Sequence, residues 1–315
     1  MIKLLANDGM DKSAQQRLEA AGIGVTTSAI GNNDLLSRIN DFDVLTVRSA
    51  TKVRKPLIDA MTKTKLIVRA GVGMDNIDVE YAQSKGITVK NTPLASSQSV
   101  AELLFAHLFT GVRFLHQANR TLPTNGATNF NDLKKDYSAG IELWGKTLGL
   151  LGFGNIGKAA ARIGLGLGMK IIAFDVYPVF DTVTLELFDG QRLHVKVPLV
   201  PKEEVLRNAD FISVHAAGST PVIGAEEFAI MKRGAMIINC ARGGVIDENA
   251  LVTALNNGTI SFAGIDVFEN EPTPRQDLLQ HPNVSLTPHI GASTAEAQTR
   301  IGEEVVDIVI NHFKV

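Results

Sequence analysis

Short apolar runs alternate with segments whose apolar residues recur every three or four positions, and the alternation is met twice along the chain. In the first stretch, Ile2–Ala6, Asp43–Val47, Leu66–Arg69 and Ile87–Val89 predict strands. Lys12–Ala21, Asp34–Arg38 and Asp78–Ser84 predict the helices between them. Near-continuous apolar strands separated by amphipathic helices imply a parallel sheet covered on both faces. From Ser99 the pattern changes. Ser99 and Glu102 have capping-box spacing, which predicts a helix running to about His116. Residues 121–140 are polar and carry Pro123, Gly126 and Gly140, which predicts a loop or a short helix. A second α/β pattern starts at Lys146, with strands at Thr147–Leu151, Lys170–Phe174, Phe211–Val214, Ala235–Asn239, Phe262–Ile265 and Val284–Leu286. Asp189-Gly190, at the middle of Thr184–Val195, signals an inserted hairpin between the second and third of these. Ser293 and Glu296 form a second capping-box pattern, after which Ala297, Ile301, Val305 and Ile308 share one helix face.

At 315 residues the chain exceeds one small core and fits two domains. A net charge of -2 implies no broad basic surface, so nucleic acid is not an expected partner. No apolar run approaches the roughly 18 to 20 residues of a membrane span, and the N-terminus lacks a signal-peptide pattern. The single cysteine, Cys240, allows no internal disulfide. A cytoplasmic protein with no membrane contact is expected. The seven histidines and one cysteine show no metal-ligand spacing, so no metal is expected.

Directly after the strand Thr147–Leu151 comes Gly152-Phe-Gly154-Asn-Ile-Gly157, a G-x-G-x-x-G followed by helix-compatible residues. Gly152 suits a tight turn, Gly154 a close backbone approach to a pyrophosphate, and Gly157 close helix–strand packing. The amides of Asn155 and Ile156 would meet phosphate oxygens at the helix N-terminus. The next strand ends in Asp175, 18 residues beyond Gly157. A carboxylate there accepts from ribose hydroxyls and repels a 2′-phosphate, which favours NAD over NADP. Six strands with crossover helices complete a dinucleotide-binding domain.

Three further segments lie at or beyond strand ends, where open α/β sheets place their sites: Asn239-Cys-Ala-Arg242-Gly-Gly, Asp266-Val-Phe-Glu269-Asn-Glu271-Pro272 and Thr287-Pro-His289. They suit hydride chemistry on a 2-hydroxy acid. His289 is the candidate base, because imidazole titrates near neutral pH. Glu271 would fix its tautomer and stabilise the imidazolium, and Arg242 would hold a carboxylate and polarise a carbonyl. A lone histidine is more often structural or solvated, and that reading is kept for His107, His116, His194, His281 and His312. Cys240 reads as a small buried residue lining the pocket, not as a nucleophile.

These segments, with Cys240-Ala-Arg-Gly-Gly-Val-Ile-Asp-Glu248, occur in the order found in the D-isomer-specific 2-hydroxyacid dehydrogenase family, which the chain resembles over nearly its whole length. The resemblance implies that Arg242, Glu271 and His289 are the catalytic three, with NAD as cofactor. It also implies that His215, Cys240, Asp266 and Gly291 border the cofactor. It implies a Rossmann NAD-binding domain (99–286) inserted in a flavodoxin-like substrate domain (1–98 plus 287–315), with the site in the cleft between. A homodimer through the NAD domain is expected on the same ground. Within the family the resemblance is strongest to members that oxidise 3-phospho-D-glycerate to 3-phosphohydroxypyruvate in serine synthesis. It is carried by Arg48-Ser-Ala-Thr51, Arg69-Ala-Gly-Val-Gly-Met-Asp-Asn-Ile-Asp78 and His289-Ile-Gly-Ala-Ser-Thr294. Arg48, with Ser49, would take the phosphate, and the amides of Val72 and Gly73 the carboxylate. Arg69, Lys134 and Lys135 are lesser candidates. Two departures stand out: Val214-His215-Ala-Ala-Gly-Ser replaces a more usual Val-His-x-Pro, and the Asp189-Gly190 hairpin is extra. No segment after the last helix matches the regulatory domain of longer members, so serine feedback is not expected. Hydroxypyruvate or glyoxylate reduction stays open as an alternative, as does an NAD(H)-sensing scaffold without turnover.

Overall fold

The computed structural model describes residues 1–178, 181–218 and 220–315. The chain divides into two compact units, Met1–Ser97 with Ala292–Val315, and Gln98–Gly291. The first unit runs β1 (Lys3–Ala6), α1 (Lys12–Ala20), β2 (Gly24–Thr26), α2 (Asn32–Arg38), β3 (Val44–Val47), α3 (Lys55–Ala60), β4 (Leu66–Arg69), α4 (Val79–Ser84) and β5 (Thr88–Asn91). All strand pairings are parallel, in the flavodoxin-like order β2-β1-β3-β4-β5. One face packs on a core that includes Leu35, Leu57, Ile58 and Ala82 of the helices α2 to α4. The other packs on Ala14 and Leu18 of α1 and on Ile301, Val305, Val306 and Val309 near the C-terminus. β2 and α3 escape the hydrophobic pattern. β2 is a three-residue edge strand with no buried position, and α3 spans less than two turns.

The second unit runs α5 (Ser97–Val112), α6 (Leu115–Asp136), β6 (Thr147–Leu151), α7 (Asn155–Gly166), β7 (Lys170–Phe174), β8 (Thr182–Glu186), β9 (Arg192–Lys196), α8 (Lys202–Asn208), β10 (Phe211–Val214), α9 (Ala225–Ile230), β11 (Ala235–Asn239), α10 (Glu248–Asn256), β12 (Ile260–Ile265), α11 (Gln276–Leu279) and β13 (Val284–Leu286). The long helix α12 (Ala295–Phe313) returns to the first unit. The six predicted strands form one parallel sheet, β13-β12-β11-β10-β6-β7. β8 and β9 form the inserted hairpin, turning at Asp189-Gly190. Beside β7, where a Rossmann sheet places its third strand, Leu199 makes a single parallel bridge to Ala173. Pro198 and Pro201 flank it and cannot donate to a ladder.

Several boundaries differ from the sequence reading. Ser99 lies inside α5, which starts at Ser97 and stops where Phe114 takes a left-handed conformation (φ 53°). Of residues 121–140, read as a loop or a short helix, 121–136 belong to the long helix α6, which has a break in helical geometry at Asn129. No residue of α6 is buried, so no apolar stripe betrays it. The cap of α12 is Thr294, whose hydroxyl accepts from the amide of Ala297; Ser293 precedes it. Residues 287–291, placed with the terminal segment from sequence, group with the second unit. The amides of Ile290 and Gly291 are tied there to the carboxylate of Asp266. Among the described residues, no helix is long and apolar enough to cross a membrane.

Candidate active site

The glycine motif sits at the switch point of the second sheet, where β7 and β10 flank β6. Gly152 has φ 105° and lies so close to the segment after β10 that a Cβ would stand 2.8 Å from the His215 carbonyl oxygen. A Cβ on Gly157 would strike the carbonyl oxygen of Gly152. One on Gly154, the N-cap of α7, would meet nothing within 4 Å. Glycine is thus demanded at two positions by packing, and at the third the helix N-terminus keeps an open approach. These residues fit a dinucleotide's pyrophosphate, with the amides of Asn155 and Ile156 opening α7. Asp175 follows β7. Its Oδ2 accepts from the Phe153 amide at 2.6 Å and its Oδ1 from the Tyr177 amide at 2.8 Å, so the carboxylate is fixed beside the glycine loop. The His215 ring is buried with both nitrogens unpartnered among the described residues, and burial pushes its pKa down to about 4. Of the loop after it, Ser219 lies outside the described residues.

Arg242, Glu271 and His289 all belong to the second unit, each just beyond a strand of one sheet. After β11, the Asn239 side chain staples the turn: its Oδ1 accepts from the Ala241 amide at 3.0 Å and its Nδ2 donates to the Arg242 carbonyl at 2.9 Å. The Arg242 guanidinium donates through Nη1 to the Ala241 carbonyl at 2.6 Å. Gly243 then presses its backbone on the Phe268 carbonyl, closely enough that no side chain fits. This brings the Arg242 turn against the 266–271 segment. Glu271 accepts from the Phe268 amide on Oε1 at 3.0 Å and meets His289 Nδ1 with Oε2 at 2.8 Å. An ionised carboxylate only accepts, so Nδ1 carries the proton and Nε2 is left as the acceptor. His289 itself has φ 55°. Cys240 is buried in the core, and burial, reinforced by Asp266, pushes its thiol pKa up, away from nucleophile chemistry. No group of three or more metal-ligating side chains occurs among the described residues.

The first unit gathers Arg48, Ser49, Arg69, Val72 and Gly73 at or just beyond the carboxyl ends of its strands. Arg48 lines a cavity of about 320 Å³ with Asp8, Gly9, Thr46, Ala70 and Gln298. The Arg48 amide donates to Asp8 Oδ2 at 2.6 Å. Asn76 donates from Nδ2 to the carbonyls of both Arg48 and Thr51 at 2.7 Å, binding the loop after β4 to the loop after β3. Ser49 is exposed in that second loop. The Val72 carbonyl accepts from Asn91, while the amides of Val72 and Gly73 donate to no backbone carbonyl among the described residues. Arg69 turns back on the Ala70 carbonyl. Lys134 and Lys135 lie in the last turn of α6. Sequence reasoning gave no role to Asn76 or Asn239. For Asn239 the available signal was an Asn at a strand end, which readily staples a turn; Asn76 lies well beyond the end of β4 and carries no such signal. For His107 no sequence signal exists.

Two buried histidines set an acid limit on stability. His107 and His215 are held down to about 4 by burial, against an ordinary 6.5. Above pH 6.5 neither state binds the proton and stability is full. Between 6.5 and about 4 only the unfolded chain binds it, costing up to about 1.4 kcal/mol per pH unit for each histidine. His116 and His281 shift the same way, while Glu248 and Glu304, raised by burial, act in the opposite sense. The urea midpoint is therefore expected to fall from pH 7 to pH 4.5. A flat profile over that range would contradict neutral burial of these rings.

The sequence profile described as "D-isomer specific 2-hydroxyacid dehydrogenase, NAD binding domain" matches residues 105–291. A hydroxypyruvate reductase of Thermotoga maritima is 43% identical over 315 residues, covering 98% of this chain and 97% of that protein. A D-3-phosphoglycerate dehydrogenase of Methanocaldococcus jannaschii is 42% identical over 314 residues, covering 98% of this chain but 56% of that protein. The chain thus spans little more than half the length of the second relative. A crystal structure of a glyoxylate reductase from Paecilomyes thermophila superposes with a TM-score of 0.83 at 29% identity, covering 98% of this chain and 94% of that one. With the profile over more than half its residues and relatives above 40% identity over nearly all of them, the chain belongs to the D-isomer specific 2-hydroxyacid dehydrogenase family.

Proposed function

We propose that the protein is an NAD-dependent D-2-hydroxyacid dehydrogenase that oxidises 3-phospho-D-glycerate to 3-phosphohydroxypyruvate. The observation that carries the chemistry is the 2.8 Å contact between Glu271 Oε2 and His289 Nδ1. Held at the Gly152–Gly157 turn, NAD would supply the acceptor for the hydride leaving C2 of the hydroxy acid. His289 Nε2 takes the hydroxyl proton in the same reaction, and Glu271 stabilises the resulting imidazolium. Arg242 holds the substrate carboxylate and, in the reverse direction, polarises the carbonyl. Gly152, Gly154, Asn155, Ile156 and Gly157 are assigned to the pyrophosphate and Asp175 to the adenosine ribose. His215, Cys240, Asp266 and Gly291 are assigned to the remainder of the cofactor's surroundings. A carboxylate in Asp175's position supports NAD over NADP.

Arg48, with Ser49, is assigned to the phosphate, and the amides of Val72 and Gly73 to a carboxylate. Arg48 on the wall of a cavity roomy enough for a phosphate, about 320 Å³, supports an anionic group there. A second reading, hydroxypyruvate reduction, is favoured by the end-to-end match to the Thermotoga protein. We assign self-association to the second unit, where α6, which has no fully buried residue, displays Leu115, Leu122 and Phe130.

The substrate question is settled by a panel of phosphohydroxypyruvate, hydroxypyruvate, glyoxylate and pyruvate with NADH, run on wild type and Arg48→Ala. Phosphohydroxypyruvate is expected to have the highest kcat/KM. Arg48→Ala is expected to raise its KM by about 10- to 100-fold, the worth of a charge-assisted bond to an ion, and to leave glyoxylate nearly unaffected. Equal effects on both substrates remove Arg48 from the phosphate, and a preference for hydroxypyruvate in wild type selects the second reading.

A further inference from the structure

Asp266, immediately after β12, is 1% exposed. Its Oδ1 accepts from the Thr287 hydroxyl at 2.6 Å and the Ile290 amide at 2.8 Å, and its Oδ2 from the Gly291 amide at 2.9 Å. Its backbone carbonyl accepts from the His289 amide at 2.8 Å. The segment bearing His289 is therefore wrapped around one buried residue. His289 has a left-handed backbone, which costs a residue with a side chain about 1 to 2 kcal/mol and persists only where neighbours enforce it. The direction of the imidazole thus depends on how firmly Asp266 and Thr287 are held.

His107 on α5 supplies that hold. It is 2% exposed, and its Nε2 lies 3.1 Å from Thr287 Oγ1 while its Nδ1 lies 2.9 Å from Ser285 Oγ. Thr287 has one hydroxyl proton and gives it to the Asp266 carboxylate. Its oxygen can then only accept from His107, so Nε2 carries the ring proton. Nδ1 is left bare, and the Ser285 hydroxyl donates to it. Every proton in the chain Ser285–His107–Thr287–Asp266 points towards the carboxylate. Burial keeps the ring neutral by lowering its pKa to about 4, in keeping with this tautomer. Gly264 makes room for the ring: a Cβ there would stand 2.5 Å from the His107 Cβ. The imidazole is clamped between α5 and β12.

We propose that His107 is a positioning residue for His289, acting through Thr287 and Asp266 to fix the loop that aims the proposed acid/base. This rests on the acid/base reading of His289 given above, and the test separates the two. Single-turnover NADH oxidation at high enzyme concentration, together with NADH affinity, is measured for wild type, His107→Leu, His289→Ala and the double variant. His107→Leu is expected to slow the hydride step by about 10²-fold, the cost of an ångström-scale misplacement, with NADH affinity unchanged. In the His289→Ala background it is expected to add no further loss. His107→Gln, which keeps a donor towards Thr287, is expected to be faster than His107→Leu. Thr287→Val, which removes the same link without touching α5, is expected to reproduce the loss should the leucine variant not fold. The same factor in both backgrounds, or a loss confined to NADH affinity, overturns the role of His107 alone. A His289→Ala protein with wild-type rate overturns the acid/base reading and the positioning role with it.

Discussion

His289→Ala is expected to lower the rate of the hydride step by about 10³-fold or more, near the upper range for a single general acid–base. The backbone around position 289 is held by bonds that do not involve the imidazole: the amides of 289, 290 and 291 and the Thr287 hydroxyl all go to Asp266. Removing the ring therefore leaves the loop standing, and NADH affinity measured by fluorescence titration is expected to stay near wild type. Glu271→Gln should show a smaller loss. Its side chain can still bond the imidazole Nδ1 but carries no charge to stabilise the imidazolium. A His289→Ala protein that loses NADH affinity in proportion to its rate would argue that the ring supports the loop and carries no proton.

Gly243→Ala carries the second large effect, at a residue with no side chain of its own. Its Cβ would lie inside the van der Waals shell of the Phe268 carbonyl oxygen. That atom is backbone, and rotation of a side chain cannot relieve the clash. The turn bearing Arg242 and the segment bearing Glu271 must move apart. Overpacking of this kind costs about 3 kcal/mol, and displacing two groups that act on one substrate is expected to cost about 10²-fold in kcat. Urea unfolding and steady-state turnover measure the two effects. Gly166→Ala is the matched control: it lies in the last turn of α7, where an added Cβ meets nothing within 4 Å. It is expected to stabilise by about 0.5 to 1 kcal/mol with unchanged turnover. Wild-type turnover in Gly243→Ala would mean that the contact is loose and that Arg242 and Glu271 do not depend on it.

Much of this was legible in the chain itself. Near-continuous apolar runs and a period of about 3.6 residues located the long elements, because a parallel strand buried on both faces is apolar throughout and an amphipathic helix imposes a repeat on where apolar residues fall. The glycine spacing was readable for the same kind of reason. A turn with φ 105° at Gly152 and a backbone contact at Gly157 leave no freedom in residue type. Arg242, Glu271 and His289 stood at strand ends within short segments, so their candidacy needed only chain position and chemistry. α6 was not legible, because a helix without a buried face imposes no apolar stripe. Neither was the cap at Thr294, where Ser293 offers the same hydroxyl one residue earlier and only backbone geometry separates the two.

Residue type and chain position thus named the residues able to do chemistry and the class of fold that carries them. How those residues are held follows from contacts made on folding. The contacts that matter here join positions far apart in the chain: Asn76 reaches Arg48 28 residues away, Asp266 reaches Gly291 25 away, and His107 reaches Thr287 180 away. Spacing along a chain constrains neighbours on one helix or strand. It carries no trace of which buried histidine will lie under which loop, since that follows from the packing of α5 on β12.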